Sequence, residues 1–153
     1  MKFGIKILVA ICAVALAACS DKLSLPEGVA KITPISSQEK IAQKFIEAFS
    51  ANDADAMASY CGDDFKWGYV REGGIELAGQ GREDLVKQMK TYFAANLGVR
   101  SDIENVFVNG DFVALSERVF WSENGAEKTA SSLAVYHIED NAINSVWYYP
   151  AQP

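Results

Sequence analysis

The chain has 153 residues, of which 50% are hydrophobic, and a formal net charge of −6. This length is that of one globular domain, and the acidic balance excludes nucleic acid as a partner because phosphate binding needs a basic face. The same charge argues against adsorption to an anionic lipid surface by electrostatics alone.

The first eighteen residues have the features of a secretory signal. Lys2 and Lys6 make the start cationic, and residues 7–18 form an apolar run of 12 residues without charge. Such a run is too short to span a hydrocarbon core, which needs about 20 residues in a helix. We therefore expect residues 1–18 to be removed. Removing two lysines from 14 basic residues leaves 12 against 20 acidic ones, a net charge of −8.

The end of this run, Leu16-Ala17-Ala18-Cys19, resembles the bacterial lipobox. The resemblance implies cleavage before Cys19 and attachment of acyl chains such as palmitate, which makes the mature protein a lipoprotein anchored to a membrane. Ser20 stands where inner-membrane retention would favour Asp, so we expect the outer membrane of the cell envelope, facing the periplasm. The alternative is an ordinary signal that leaves Cys19 free.

The segment after Cys19 separates this anchor from the domain. Residues 19–35 contain Pro26, Gly28 and Pro34 and show little periodicity, which predicts a flexible tether. The domain itself is predicted to span residues 36–153.

Three helices are predicted within the domain. Ser36, with Glu39 three residues later, fits a capping box at the start of the first helix. Asp53 is placed to cap a short second helix over residues 54–60. The third helix is predicted over residues 82–96, where apolar residues recur at helical spacing.

Six extended segments complete the pattern. Two flank a Glu-Gly-Gly turn, and four follow the third helix, separated by Asn-Gly and Asp-Asn pairs that are typical of hairpins. The segments are 65–71, 75–78, 103–108, 112–121, 129–139 and 142–149. Helices before strands predict an α+β fold, a curved antiparallel sheet (a cone) with three helices packed on its concave side.

Several spaced motifs point to a known superfamily. They are Phe45-x-x-Ala48-Phe49, Asn52-Asp53, GREDL at residues 81–85 and VYHIEDNAINSVWYY at residues 135–149. As a set, over residues 38–149, they resemble the SnoaL-like branch of the nuclear transport factor 2-like superfamily. The resemblance implies a cone of bent sheet whose interior often holds a small, apolar molecule. It does not imply an activity, because the superfamily contains enzymes and non-enzymes.

Catalysis of the limonene epoxide hydrolase type is not expected. The strands that correspond to its Glu-Arg-x-Asp and Trp-Arg-Asp-Tyr motifs read ERVF at residues 117–120 and WYYP at residues 147–150. Phe120 and Tyr149 thus stand where the resemblance places two aspartates. A phenyl ring cannot transfer a proton, and a tyrosine with its ordinary pKa near 10 is a poor base at neutral pH.

Other acid–base residues are not identified. Ketosteroid isomerases place an aspartate shortly after an Asp-Asp pair resembling Asp63-Asp64, but FKWGYV follows here, without an acid. We interpret Asp63 and Asp64 as a turn after the second helix. We assign no catalytic residue, and a cyclase, isomerase or hydrolase with unrecognised acid–base residues remains the alternative.

The remaining reactive side chains are assigned structural positions. His137 has no partner carboxylate in view and is predicted to be half-exposed. Cys61 is the single cysteine left after the anchor, so it makes no intrachain disulfide and is predicted to be buried. One His and one Cys cannot supply a zinc site, and no metal or cofactor is expected.

The ligand site is predicted on the inner face of the sheet. Strand alternation places Phe112, Ala114, Ser116, Arg118 and Phe120 on one face, which we take as concave. The candidate ligand-binding residues are Arg118, Phe120, Trp147, Tyr149, Ser116, Trp67 and Tyr69. Inside the cone, Arg118 would either pair with an acid from elsewhere, such as Asp63, Asp64 or Glu76, or bind a ligand carboxylate or carbonyl together with Tyr149. Glu117 falls on the other face.

That other face also carries apolar residues: Val113, Leu115, Val119 and Trp121. Placed outside, they would need covering, which predicts a homodimer formed sheet to sheet. The sequence therefore predicts a membrane-anchored periplasmic lipoprotein that binds a small apolar or mildly anionic molecule without catalysis. The alternatives are an enzyme of the same fold and a dimeric interaction module.

Overall fold

The computed structural model describes residues 35–150. The predicted signal (1–18), the lipidation site Cys19 and nearly all of the predicted tether (19–35) lie outside the described residues. No helix within the described range is long and apolar enough to cross a membrane.

Three helices form where the capping patterns (α1 and α2) and the helical spacing of apolar residues (α3) predict them: α1 (Ser37–Ser50), α2 (Ala54–Ser59) and α3 (Arg82–Ala95). At the start of α1 the Ser36 hydroxyl accepts a hydrogen bond from the Glu39 amide. At the start of α2 the Asp53 carboxylate accepts one from the Ala56 amide. Both side chains satisfy amides that the first turn of a helix leaves without partners.

Six strands form one sheet: β1 (Cys61–Arg71), β2 (Gly74–Gln80), β3 (Arg100–Asn109), β4 (Phe112–Glu123), β5 (Ala126–Glu139) and β6 (Ala142–Pro150). Their order across the sheet is β2-β1-β6-β5-β4-β3. The predicted α+β cone, with three helices on the concave side of a curved sheet, is confirmed.

One pairing differs from the predicted antiparallel arrangement. β1 runs parallel to β6, so the sheet is mixed. The parallel pair is possible because α3 and four strands separate β1 from β6 along the chain, which gives ample length for the return. β1 also begins earlier than predicted, so Asp63 and Asp64 lie within this strand and not in a turn.

The hairpins β4–β5 and β5–β6 close on two-residue turns. Asn124 and Gly125 have φ of 53° and 77°, and Asp140 and Asn141 have φ of 54° and 61°. Two consecutive positive φ values match the right-handed twist of the flanking strands, and Asn, Asp and Gly tolerate them best. The turn residues thus set the pairing of the last three strands.

The core lies between the helices and one face of the sheet. Val113 and Leu115 of β4 are fully buried there, whereas Phe112 is 51% exposed. The predicted assignment of the two faces is therefore wrong: Val113, Leu115 and Val119 face the helices, and Phe112, Ser116 and Arg118 face outward. Both faces of β4 carry apolar side chains at alternate positions, so alternation alone does not say which of them the helices cover.

Candidate functional site

A cavity of about 320 Å³ opens between the helices and the concave face of the sheet. Its lining consists mostly of aromatic and aliphatic side chains, with Glu117 as the acidic member. The lining residues are Phe45, Ile46, Phe49, Met57, Phe65, Trp67, Tyr69, Leu85, Met89, Tyr92, Glu117, Val119, Ala130, Ser131, Ser132 and Tyr148. Concave, largely apolar spaces of this size, with few polar groups, are typical of small-molecule sites.

Aromatic packing shapes the wall of this cavity. The Trp67 ring stacks on Phe65 with 5.3 Å between centroids, and Tyr69 lies 6.0 Å from Tyr148. Gly79 makes room for Trp67, since a Cβ at position 79 would lie 2.3 Å from its ring atoms. The neighbouring strand β2 therefore helps to determine where Trp67 sits.

Glu117 is the polar centre of the site. It lies on the concave face of β4 and is 3% exposed. The Tyr136 hydroxyl donates a hydrogen bond of 2.7 Å to its Oε1, and the Ser101 hydroxyl donates one of 3.5 Å to its Oε2. Burial raises the pKa of Glu117 to about 7, and the two hydrogen bonds oppose that rise.

Two buried tyrosines lie near this carboxyl: Tyr136 on the neighbouring strand β5, and Tyr148 on β6, which pairs with β5. Burial, followed by the charge of Glu117, raises the pKa of Tyr136 well above its usual value. The same two causes raise the pKa of Tyr148. Both phenols therefore stay protonated at neutral pH and act as hydrogen-bond donors, not as bases.

The end of α1 holds Ser101 in place beside Glu117. The Ser101 amide donates to the Ser50 hydroxyl (2.9 Å), and that hydroxyl donates to the Ser101 carbonyl (3.1 Å). The Asn52 side chain donates to the carbonyls of Ser50 and Val99, at 3.1 Å each. These contacts tie the helix end to the start of β3.

Five of the seven predicted ligand-binding residues lie outside this cavity. Trp67 and Tyr69 line it. On the convex face, Arg118 pairs with Glu104 at 2.6 Å and its side chain is 46% exposed. The prediction that Arg118 points into the cone is therefore wrong; it forms an ion pair, and its partner is not one of the three acids proposed. The other residues outside the cavity lining are Ser116, Phe120, Trp147 and Tyr149.

Along β4 and β6, these five residues occupy the positions that alternate with the cavity-facing ones. Ser116 donates a hydrogen bond to Glu104 on β3, and the Arg100 guanidinium lies 4.1 Å from the centre of the Phe120 ring. Tyr149 is 42% exposed. Trp147 alternates with Val146, which is fully buried, and with Tyr148, which lines the cavity.

Glu117, Tyr136 and Tyr148 were not predicted as site residues. The signal for Glu117 was present, because it shares a face with Val113, Leu115 and Val119, which are more uniformly apolar than the residues on the other face. A lone acid among such residues is unusual unless it is functional or paired. The other face of β4 also carries one charged residue, Arg118, so the pattern of the strand does not by itself select Glu117.

The other reactive residues take no part in the cavity. The His137 ring stacks on Phe112 at 4.8 Å. Cys61 is buried and unpaired, as predicted, and burial raises the pKa of its thiol to about 12, which makes it a poor nucleophile. Within residues 35–150 there is no cluster of three His, Cys, Asp or Glu side chains able to hold a metal ion.

Comparison with known proteins agrees with the fold described above. A family model described as a SnoaL-like domain matches residues 42–146. An uncharacterised cystatin-fold protein from Novosphingobium aromaticivorans superposes with a TM-score of 0.64 at 22% identity, over 74% of this chain and 97% of that one. No curated protein sequence matches the chain.

Two further solved structures show the same likeness. A putative SnoaL-like polyketide cyclase from Jannaschia sp. gives a TM-score of 0.64 at 14% identity, covering 78% of this chain and 89% of that one. An LEH-like epoxide hydrolase from M. tuberculosis gives 0.64 at 16% identity, covering 75% and 83%. At these identities the likeness establishes the fold and not a shared activity.

Proposed function

We propose, since the chain belongs to the SnoaL-like domain family, that this domain binds a small, largely apolar molecule in the cavity between its helices and its sheet. The observation that carries the proposal is the composition of the cavity wall. Seven of its 16 lining residues are aromatic, and a single one is an acid. Such a wall favours apolar ligands through burial, and the carboxyl orients them.

An anionic ligand has less support than the sequence suggested. The cationic residue predicted to receive it, Arg118, lies on the convex face and pairs with Glu104. The lining of the cavity contains Glu117 and no Lys, Arg or His among the described residues. A ligand carboxylate would meet a like charge in a space of low polarity, which is unfavourable.

A cavity-filling variant tests this function. Ser132 lines the cavity, so Ser132→Trp should displace the ligand that co-purifies with wild-type protein from its own membrane, as detected by mass spectrometry of the extract. Ser122→Trp, at an exposed position near the end of the adjacent strand β4, is the matched control and should retain it. Absence of any small molecule from both wild type and control, together with no binding of added apolar probes, would overturn the proposal.

Acid–base catalysis is the second candidate, and Glu117 favours it. A carboxyl whose pKa is raised to about 7 is suited to giving and taking a proton near neutral pH. The molecule recovered from the cavity would then be a substrate or a product. Wild type should convert one of the two into the other and Glu117→Gln should not; equal conversion by both proteins would exclude this role.

We also propose that the domain is attached to a membrane through Cys19. The lipobox-like sequence Leu16-Ala17-Ala18-Cys19 supports lipidation there, and Ser20 supports an outer-membrane position facing the periplasm. A triacylated cysteine would provide stable attachment without help from surface charge.

A homodimer through the convex face of the sheet is also proposed, with different residues from those predicted. Phe107, Phe112, Leu133 and Tyr149 are 72%, 51%, 42% and 42% exposed. An apolar sheet face is suited to a second copy because a two-fold axis lets the same patch cover itself. Leu133→Arg should convert the dimer to a monomer in sedimentation velocity; a wild-type monomer at tens of micromolar would contradict the proposal.

A further inference from the structure

The buried carboxyl of Glu117 has donors but no counter-charge. Both of its oxygens accept hydrogen bonds from hydroxyl groups, those of Tyr136 and Ser101. None of the salt bridges formed among residues 35–149 includes it. Hydroxyl donors stabilise the ionised form, but a carboxylate that is 3% exposed still lacks the cation that normally accompanies a buried charge.

The space beside this carboxyl is walled by seven aromatic rings. The face of an aromatic ring is electron-rich and attracts a cation that has left water, most strongly when the ring is that of Trp. Trp67, stacked on Phe65 at 5.3 Å between centroids, lines the cavity, and so do Tyr69 and Tyr148. An apolar wall that also attracts positive charge is suited to an alkylated ammonium group.

We infer that the ligand of this cavity is a small organic cation, an amine or a quaternary ammonium compound, whose positive charge pairs with Glu117 and whose alkyl groups contact the aromatic wall. The inference rests on the proposed binding function and narrows it to one chemical class. Through this ion pair, Glu117 orients the ligand and favours cations over neutral molecules.

The competing ligand class is a neutral molecule that accepts a hydrogen bond from protonated Glu117. The two classes differ in their dependence on pH because one needs the ionised carboxyl and the other needs the acid. The other titratable groups near Glu117 do not mask this difference in pH dependence. The helices α1 and α2 contribute only Phe45, Ile46, Phe49 and Met57 to the lining, and the titratable groups from the other elements are hydroxyls, those of Tyr69, Tyr92, Tyr136 and Tyr148.

The experiment compares choline with its neutral carbon isostere, 3,3-dimethylbutan-1-ol, on the full chain in non-ionic detergent. Calorimetry at pH 7.5 should show choline binding at least about tenfold more tightly than the isostere. Because Glu117 has a pKa raised to about 7, choline affinity should fall by about tenfold per pH unit between pH 6.5 and 5.5, while that of the isostere should change little. Choline binding near pH 7 should also release about half a proton, measurable from the heats in two buffers.

A variant separates the charge from the shape. Glu117→Gln keeps the size of the side chain and should remove the preference for choline while leaving binding of the isostere within about threefold. Should the variant fail to fold, as judged by its melting curve, the pH profile of wild type decides the question alone.

The possible results separate the organic-cation inference from the proposed apolar binding function. Equal affinity for both probes, or a choline affinity that does not fall below pH 7, overturns the cation inference but leaves the apolar binding site standing. Binding of neither choline nor the isostere, nor of any co-purifying molecule, overturns the inference and the proposed function together.

Discussion

Glu117 and Arg118 are adjacent in sequence but lie in opposite environments. Glu117 is buried in the wall of the cavity, and Arg118 forms a half-exposed ion pair with Glu104 on the convex face. A strand sends neighbouring side chains to opposite faces, so placing one of them also places the other. The charge that reaches the interior is therefore negative, and this sign limits which ligands the cavity can accept.

The buried carboxyl makes stability depend on pH. The pKa of Glu117 rises from 4.5 to about 7 in the folded protein, so the folded state holds a proton that the unfolded state has lost between these two values. The free energy of unfolding should therefore fall as pH rises from about 4.5 to 7, by roughly 3 kcal/mol, and stay low above that range.

Urea denaturation of the ligand-free protein between pH 5 and 8 measures this effect. Subtracting the curve of Glu117→Gln, which cannot ionise, isolates the contribution of Glu117 from those of other groups. Glu123→Gln, at an exposed carboxylate at the end of β4, is the control and should leave the slope unchanged. A wild-type slope equal to that of Glu117→Gln would show that Glu117 ionises in the folded protein as it does in the unfolded chain.

At the scale of elements, the junction between α1 and β3 holds Ser101, which donates a hydrogen bond to Glu117. Asn52 lies in this junction with φ of 59°, and its side chain bonds the carbonyls of Ser50 and Val99. Asn tolerates the left-handed conformation better than other residues with a Cβ, and Gly tolerates it best. Backbone strain and hydrogen bonding can therefore be separated by two substitutions.

Asn52→Gly should cost only the two hydrogen bonds, about 1–2 kcal/mol of unfolding free energy. Asn52→Ala loses the same bonds and adds left-handed strain, which should make it less stable than the glycine variant by about 1 kcal/mol. Chemical denaturation of both variants measures the difference. If the alanine variant proves as stable as the glycine variant, left-handed strain at position 52 does not exceed the chain entropy that glycine adds to the unfolded state.

At the scale of the whole molecule, the proposed anchor can be tested by fractionation. Cys19→Ala removes the acceptor of the acyl chains, and the acidic mature chain offers no electrostatic attachment in their place. The variant should leave the membrane fraction while wild type stays there after a salt wash. Retention of Cys19→Ala on the washed membrane would rule out lipidation of Cys19 as the means of attachment.

The two faces of the sheet now have separate proposed roles. The concave face, with Glu117, encloses the cavity, and the convex face, with Phe112 and Leu133, is left for a second copy of the chain. The residues predicted for the dimer, Val113, Leu115, Val119 and Trp121, pack against the core or line the cavity. Their burial comes from the helices and not from another subunit.

The sequence by itself determined the elements and the fold class. Ser36 and Asp53 start their helices, and the Asn-Gly and Asp-Asn turns set the last hairpins, because such signals act between residues a few positions apart. The spaced motifs predicted the SnoaL-like family, which the family model confirms. Local chemistry was sufficient for the helix starts and the turns, whereas the family came from the resemblance of the motifs as a set.

Only the tertiary structure decided which face of the sheet became the interior. Alternation along β4 defines two sets of residues, one with Glu117 and one with Arg118, and both contain enough apolar side chains to be buried. The choice depends on where α1 and α3 pack, which is a contact between segments far apart in the chain. The parallel pairing of β1 with β6 depends on such contacts too, because no turn between neighbouring residues specifies it.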